Sequence, residues 1–503
     1  MDRSRKALKN IFTGLINKII LMLLAFATRT IFIRYLGVEY TGISSLYTNI
    51  LSVLSLAELG IGNVLMFYLY SALKKNDEEE ICGLVKEFKK IYSGIIICVL
   101  GIGIILTPFL KFIINSELNS LKLIIYYLLY LINSVASYFV VYRTMVISAD
   151  QKSYISNICN TVITIIMYIL QVIYLILFRN FLGYLIIQVA CTILNNLILN
   201  HIACKKYPYL KNKVVSKDVT INKKDLFKNI KGTFLYKVSE TILDQTDSII
   251  ISIMFGTIYV GLYSNYYMII VYLSNVSAII ANGLVASFGN LNAEENKEKS
   301  YLMFRVAMLL FAIFGTFCTT CYACVIQDFI NIWIGSSCIM SYSIVFAVLA
   351  VFYLRMVTNT MWMYRSSMGL FKEVQYVNII AAILNIILSI ILGRIIGIAG
   401  VILATALSRL LTSFWYEGKI LFKKFEQKVS IYYRQQLKDF IVAIIVVGVS
   451  FTLSNFIPFT GIVAIIIKLF ICVIITAIIE LIVNYRTEEF KLLKAKVLTA
   501  LKR

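Results

Sequence analysis

Residues 154–203 read YISNICNTVITIIMYILQVIYLILFRNFLGYLIIQVACTILNNLILNHIA. Two apolar runs, 154–178 and 182–203, contain no Asp, Glu, Lys or Arg, and Arg179 sits in the short joint between them. A bilayer's hydrocarbon core is matched by roughly 20 apolar residues of helix. In lipid the backbone N–H and C=O groups must be satisfied within the structure, which leaves helices or closed barrels. Barrel strands would show segments of about 10 residues with alternating polarity, and these runs do not alternate. The stretch therefore predicts two membrane-crossing helices joined by a tight turn.

Outward from this pair the same pattern recurs. About 14 spans can be drawn. Six precede the middle of the chain, at roughly 11–35, 42–70, 91–114, 120–148, 154–178 and 182–203. Six follow, at roughly 231–255, 260–288, 303–326, 341–367, 374–395 and 398–418, and two more lie at roughly 437–457 and 460–484. Composition agrees: of 503 residues 60% are hydrophobic and 15% charged, with a mean hydropathy of +0.84. Soluble domains carry about 25% charge. The expected class is an all-α polytopic membrane protein.

The net charge of +22 could suggest nucleic acid. Here the Lys and Arg residues cluster between apolar spans, so no nucleic-acid partner is expected. Basic segments lie at 71–90, 204–232, 419–438 and 485–503, whereas the alternate connections GVEYTG, GTIYV and FIPFT are short and nearly uncharged. The positive-inside rule then puts both termini in the cytoplasm and the chain in the cytoplasmic membrane. MDRSRKALKN leads into a span too long for a signal-peptide core and without a small-residue cleavage site, so it reads as the start of the first helix. The alternate connections leave no room for an external catalytic domain, which argues against an enzyme such as a glycan polymerase.

The chain resembles itself at an offset of 219 residues. Lys9-Asn10-Ile11 matches Lys228-Asn229-Ile230, Lys18 matches Lys237, and Gly37 and Gly42 match Gly256 and Gly261. The offset covers six helices, an even number, so both copies share one orientation. The expected organisation is two parallel six-helix lobes, 1–203 and 231–420, joined by a basic linker, 204–230. An additional helix pair at 437–484 and a basic tail at 485–503 complete it.

Ionisable residues within spans cost roughly 2.5–3.5 kcal/mol each and usually face a protein interior or a watery cavity. The cationic candidates are Lys18, Arg29, Arg34, Arg143, Lys237, Arg355, Arg365 and Arg409. A guanidinium pairs bidentately with phosphate oxygens, so these residues could line a cavity for an anionic ligand. The blander reading is that some of them, Arg34 and Arg365 above all, snorkel to the interface or pair with acids. Glu58, Glu240, Asp244 and Asp247 form the acidic set. They could couple transport to H+ or Na+, or make salt bridges with the cations. Tyr263, Tyr266, Tyr267, Trp333, Trp362 and Trp415 could line a sugar path or belong to an interfacial belt. Cys318, Cys321 and Cys324 lie about a turn apart, but with no His nearby they read as small hydrophobes rather than a metal site. The sequence has no Walker A, GxSxG or HExxH pattern, and no cofactor is expected.

FIRYLGVEYTGISSLY at 32–47 and LSLAELGIGNVLMFYLYSALKKND at 54–77 resemble the polysaccharide flippase family of the multidrug/oligosaccharidyl-lipid/polysaccharide exporter superfamily. DSIIISIMFGTIYVGLYSNYYMII at 247–270, GNLNAEENKEK at 289–299 and FINIWIG at 329–335 fit that family's second half. The resemblance runs over roughly residues 9–420 and implies alternating access between two lobes. It also implies flipping of an undecaprenyl-diphosphate-linked oligosaccharide repeat unit for cell-surface polysaccharide, with polysaccharide-assembly proteins and membrane lipid as partners. Arg29 stands where the family would place a diphosphate-binding cation. Related lipid II flippases have a final helix pair that adds a groove for the lipid tail, which invites comparison with 437–484. A lipid II-type or drug exporter of the same superfamily is the alternative, and a drug exporter would call for an anionic cavity.

Overall fold

The computed structural model describes residues 2–55, 61–211, 223–293 and 297–501. Among these residues the secondary structure is helical throughout, with no strand. The chain divides into two compact units, 1–261 and 262–503.

The first unit contains α1 (Asp2–Leu36), α2 (Val38–Leu54), α3 (Ile61–Lys75), α4 (Glu78–Leu106) and the short α5 (Leu110–Ile113). It continues with α6 (Ser120–Ala136), α7 (Val141–Ala149), α8 (Ser153–Phe178), α9 (Phe181–Lys206) and α10 (Lys223–Phe255). Polar caps mark several starts: Asp77 accepts from the Glu80 N–H at 2.9 Å, and Asn180 from the Leu182 N–H at 2.8 Å. Helix α1 packs along α8, α9 against α6 and α8, and α10 against α2. Their shared faces bury Phe32, Tyr47, Tyr127 and Phe181. The outer faces carry Ile97, Ile105, Ile173 and Leu197, exposed as lipid-facing residues must be.

Helix α11 (Thr257–Ala293) leads into the second unit. There follow α12 (Lys297–Ile334), α13 (Tyr342–Met368), α14 (Phe371–Ile396), α15 (Ile398–Leu411) and α16 (Ser413–Lys424). The unit closes with α17 (Val429–Asn455), α18 (Gly461–Asn484) and α19 (Glu488–Leu501). Helix α12 is central, with 67% of its apolar window buried against 17% for α18. It packs on α13, α17, α18 and α19.

Among the described residues eleven helices are long and apolar enough to cross a membrane, and twelve if the bent pair α6–α7 counts as one span. The sequence reading expected 14. The two further spans, at 42–70 and 231–255, meet obstacles that length alone hides. The first holds α2 and α3, and residues 56–60 between them lie outside the described residues, so it is not counted as one span. The second is the continuous α10, whose Lys237, Glu240, Asp244 and Asp247 dilute its apolar character.

The sequence reading also treated GVEYTG and GTIYV as connections. Each is instead a single-residue break followed at once by helix, at Gly37 (φ 93°) and Gly256 (φ 102°). Glycine reaches this left-handed region without the Cβ clash of other residues, so one residue suffices to turn the chain. Five residues on, α2 and the start of α11 cross at Gly42 and Gly261. A Cβ on Gly42 would strike the Thr257 carbonyl, and one on Gly261 would strike the Val38 carbonyl.

Candidate functional site

In the first unit Arg29 lies half-buried on α1, one turn before Phe32. The Phe32 ring packs edge-on against Phe181 at 5.7 Å and Tyr184 at 5.0 Å. Tyr40 and Tyr126 extend this cluster onto Phe181, at 5.2 and 4.8 Å. Tyr47 continues it to Tyr127 and Tyr130, at 5.6 and 5.5 Å. Hydroxyls fix the rings: Tyr47 donates to the Leu123 carbonyl at 2.7 Å, Tyr127 to the Gly103 carbonyl at 3.1 Å, and Tyr130 shares a hydrogen bond with Ser44. Arg29 is close enough to Tyr130 and Tyr184 to interact electrostatically with both. Arg29 is thus a permanent cation on the helix whose Phe32 joins this aromatic cluster. Such a group can bind an oxyanion through its fork of N–H donors.

Arg143 on α7 is braced differently. Its guanidinium donates to Asn200 of α9 and sits over the Tyr142 ring at 5.6 Å. Asn200 is the last rung of a polar ladder on α9. Thr192 donates to Asn133 at 2.7 Å and Asn196 to the Ala136 carbonyl at 2.5 Å. Lys18 and Arg34 are exposed on α1. Lys237, Glu240 and Asp244 are half-buried on α10, and Asp247 is buried at 7% exposure. Glu58 lies outside the described residues.

In the second unit Arg365 is 3% exposed and ion-paired with Glu417, an acid that sequence reasoning did not single out. Arg355 and Arg409 are half-buried on α13 and α15. Tyr266 has an architectural role. It donates to Gln327 at 2.7 Å and accepts from the Met340 N–H at 3.0 Å, while Gln327 donates to the Met340 carbonyl at 2.7 Å. Tyr263 and Tyr267 stack on each other at 5.6 Å. Trp333 packs on Phe329 at 5.5 Å and Trp415 on Tyr433 at 4.5 Å.

Two polar knots at the ends of the first unit escaped the sequence reading. Where α2 and α11 begin, Ser116 donates to Glu39 at 2.5 Å and Thr257 reaches the same carboxylate oxygen at 3.4 Å. The Thr257 N–H donates to the Asn115 carbonyl at 3.0 Å. At the other end Tyr207 donates to Asp150 at 2.8 Å, and Lys152 pairs with the same carboxylate. Burial, and then Asp150's hydrogen bond and charge, push the Tyr207 phenol well above its ordinary range. Burial, with the charge of Glu78 next, pushes its neighbour Tyr209 up to about 12. The missed tyrosines of the Arg29 wall had a signal in the sequence, since Tyr126, Tyr127 and Tyr130 crowd one apolar span.

The sequence model of the polysaccharide biosynthesis protein family matches residues 7–286. Among solved structures, the lipid II flippase MurJ in an inward closed conformation is similar, with a TM-score of 0.68 at 14% identity. That match covers 94% of this chain and 99% of the other. An inward-facing multidrug resistance MATE family transporter of the MOP superfamily gives a TM-score of 0.63 at 13% identity, covering 81% and 95%. The Vibrio cholerae MATE transporter VcmN gives 0.54 at 13% identity, covering 84% and 99%. A comparison with curated proteins returns no match. At these identities the likeness is one of fold: the chain has the architecture of MOP-superfamily transporters.

Proposed function

The chain belongs to the polysaccharide biosynthesis protein family, and from that premise we propose that it flips polyprenyl-diphosphate-linked oligosaccharide repeat units across the cytoplasmic membrane. Alternating access carries the headgroup from the inner to the outer leaflet, and both termini face the cytoplasm. The headgroup is the part that lipid rejects, because its charges cannot be left unpaired in hydrocarbon. The polyprenyl tail can stay in lipid throughout. A protein doing this must supply counter-charge inside the membrane without closing around the sugar. The observation that carries the reading is Arg29, an intramembrane guanidinium backed by tyrosines in the segment that matches the family. The transporter fold supports it.

Reconstitution tests the proposal. Vesicles containing the full chain and a fluorescent undecaprenyl-diphosphate oligosaccharide should translocate the label. Arg29→Ala removes a charge-assisted contact of about 1.5–3 kcal/mol and should slow translocation roughly tenfold or more. Arg29→Lys should recover part of the rate, since it restores charge without the planar fork. An unaltered rate in Arg29→Ala would remove this residue from the mechanism. Absence of protein-dependent translocation of any lipid-linked oligosaccharide would sink the reading.

A further inference from the structure

The final helix pair carries two carboxylic acids that the transport reading does not use. Asp439 on α17 and Glu480 on α18 are each 6% exposed. Both lie within apolar spans. Gln435 donates to Asp439 Oδ1 at 2.8 Å, and Asn484 donates to Glu480 Oε2 at 2.8 Å. Lys438 donates to Asn484 at 3.0 Å, and the Tyr353 hydroxyl of α13 donates to the backbone carbonyl of Asp439 at 2.8 Å. Asp439 Oδ2 is buried and has no hydrogen-bond partner among the described residues.

A cavity of about 320 Å³ comes up to the side chains that hold this pair, without being lined by either carboxyl. Gln435 and Asn484, which hold the two carboxyls, form part of its lining, together with Gln427, Thr487, Arg305 and Glu489. Its lining thus draws on residues within the basic segment 419–438 and the basic tail. The charges facing the pair can be counted. Arg305 of α12 and Glu489 of α19 form an ion pair and cancel. Lys438 offsets one of the two acids, and Tyr353 is neutral. One negative charge is left over in an apolar seam formed with Val442, Ala443 and Val446. A buried charge in that position is relieved by taking up a counter-ion.

We propose that Asp439 and Glu480 form a proton-binding site, filled from solution through this cavity, in which one proton is held at Asp439 Oδ2. Binding forms one O–H bond and removes the surplus negative charge. A proton suits the site better than a metal cation. Among the described residues no group of three or more His, Cys, Asp or Glu side chains is arranged to hold a metal. The site lies outside the 219-residue repeat and does not depend on which substrate the protein carries.

Infrared difference spectroscopy on the purified full-length protein in lipid nanodiscs, across a pH titration and without transport substrate, tests this. The expected result is a pH-dependent carboxylic-acid C=O band that Asp439→Asn removes. At a fixed pH, Lys438→Met should enlarge the band and Glu480→Gln should shrink it, opposite changes that a purely structural role would not produce. Replacing Na+ by a large organic cation should leave the band unchanged. A wild-type spectrum identical to that of Asp439→Asn would overturn the proposal. If Asp439→Asn does not fold, a band unmoved by both neighbouring variants overturns it equally. Loss of the band on adding Na+ at constant pH would make the site one for a metal cation instead.

Discussion

Alanine at Gly42 gives a sharp test of the close crossing between α2 and α11. A Cβ there would overlap the carbonyl of Thr257 and stand 2.9 Å from the amide nitrogen of Gly261. Non-bonded heavy atoms in contact sit at about 3.5 Å, so from 1.9 Å the two helices would have to part by roughly 1.5 Å. The obstructing atoms are backbone, which cannot swing aside as a side chain can. Overpacking of this kind costs about 1–3 kcal/mol, and rigid neighbours put Gly42→Ala in the upper part of that range. Since about 1.4 kcal/mol is a factor of ten, the native-state half-life in detergent at a fixed temperature should fall roughly 30-fold or more. Gly101→Ala is the control. Gly101 lies on α4 with nothing within 4 Å of an added Cβ, so its replacement should be neutral or stabilise by up to about 1 kcal/mol. Gly261→Ala meets the Val38 carbonyl and the Gly42 nitrogen at 3.1 Å and should behave like Gly42→Ala. The double variant should lose less than the sum of the singles, because one displacement relieves both clashes. Equal half-lives for Gly42→Ala and Gly101→Ala would refute the close crossing.

The buried pair Arg365–Glu417 predicts that Glu417→Leu alone destabilises by about 3–5 kcal/mol, whereas Arg365→Met with Glu417→Leu recovers most of the loss; thermal inactivation of the purified variants reads both. Tyr266→Phe should cost about 1–3 kcal/mol by orphaning the buried Met340 N–H, with the half-buried Gln327 carbonyl oxygen losing its donor as well, seen as a lower midpoint of thermal aggregation. The raised folded-state value of Tyr207 favours its neutral form, so its stabilising contribution is complete below the unfolded phenol pKa of about 10 and is lost as pH rises beyond it. Alkaline unfolding curves should therefore shift, with Tyr207→Phe less stable than wild type at neutral pH and less sensitive to pH above about 10.

Most of the helices were legible because a membrane span writes its length into a long run with few or no charges, as 154–178, with none, does. The starts of α2 and α11 were not. GVEYTG carries a charge and two glycines and so reads as a loop, yet one left-handed glycine turns the chain and Glu39 is satisfied by Ser116 and Thr257. Helix α10 was legible as helix but ambiguous as a span, since Lys237, Glu240, Asp244 and Asp247 within it weaken the signal that marks the others.

The site was legible only by residue type. Intramembrane arginines announce themselves by their cost, but the cost does not say how each is met. Arg29 is backed by tyrosines from α6 and α9, Arg143 by an amide on α9, and Arg365 by a carboxylate 52 residues away. None of these pairings has a periodic spacing, because each joins different helices. The same limit explains Asp439 and Glu480, which sit in spans read as an appended pair and attract notice only when Gln435, Lys438 and Asn484 converge on them. Two intramembrane features thus emerge, one in each unit. One is a fixed cation in the unit that carries the family match, suited to an anionic headgroup. The other is an acidic pair on the last two spans, suited to a proton. Their chemistries differ in a way that experiment can separate: Arg29 keeps its charge at any physiological pH, so its contribution to translocation should be insensitive to pH, while the pH-dependent carboxylic-acid band should follow Asp439 and vanish with Asp439→Asn.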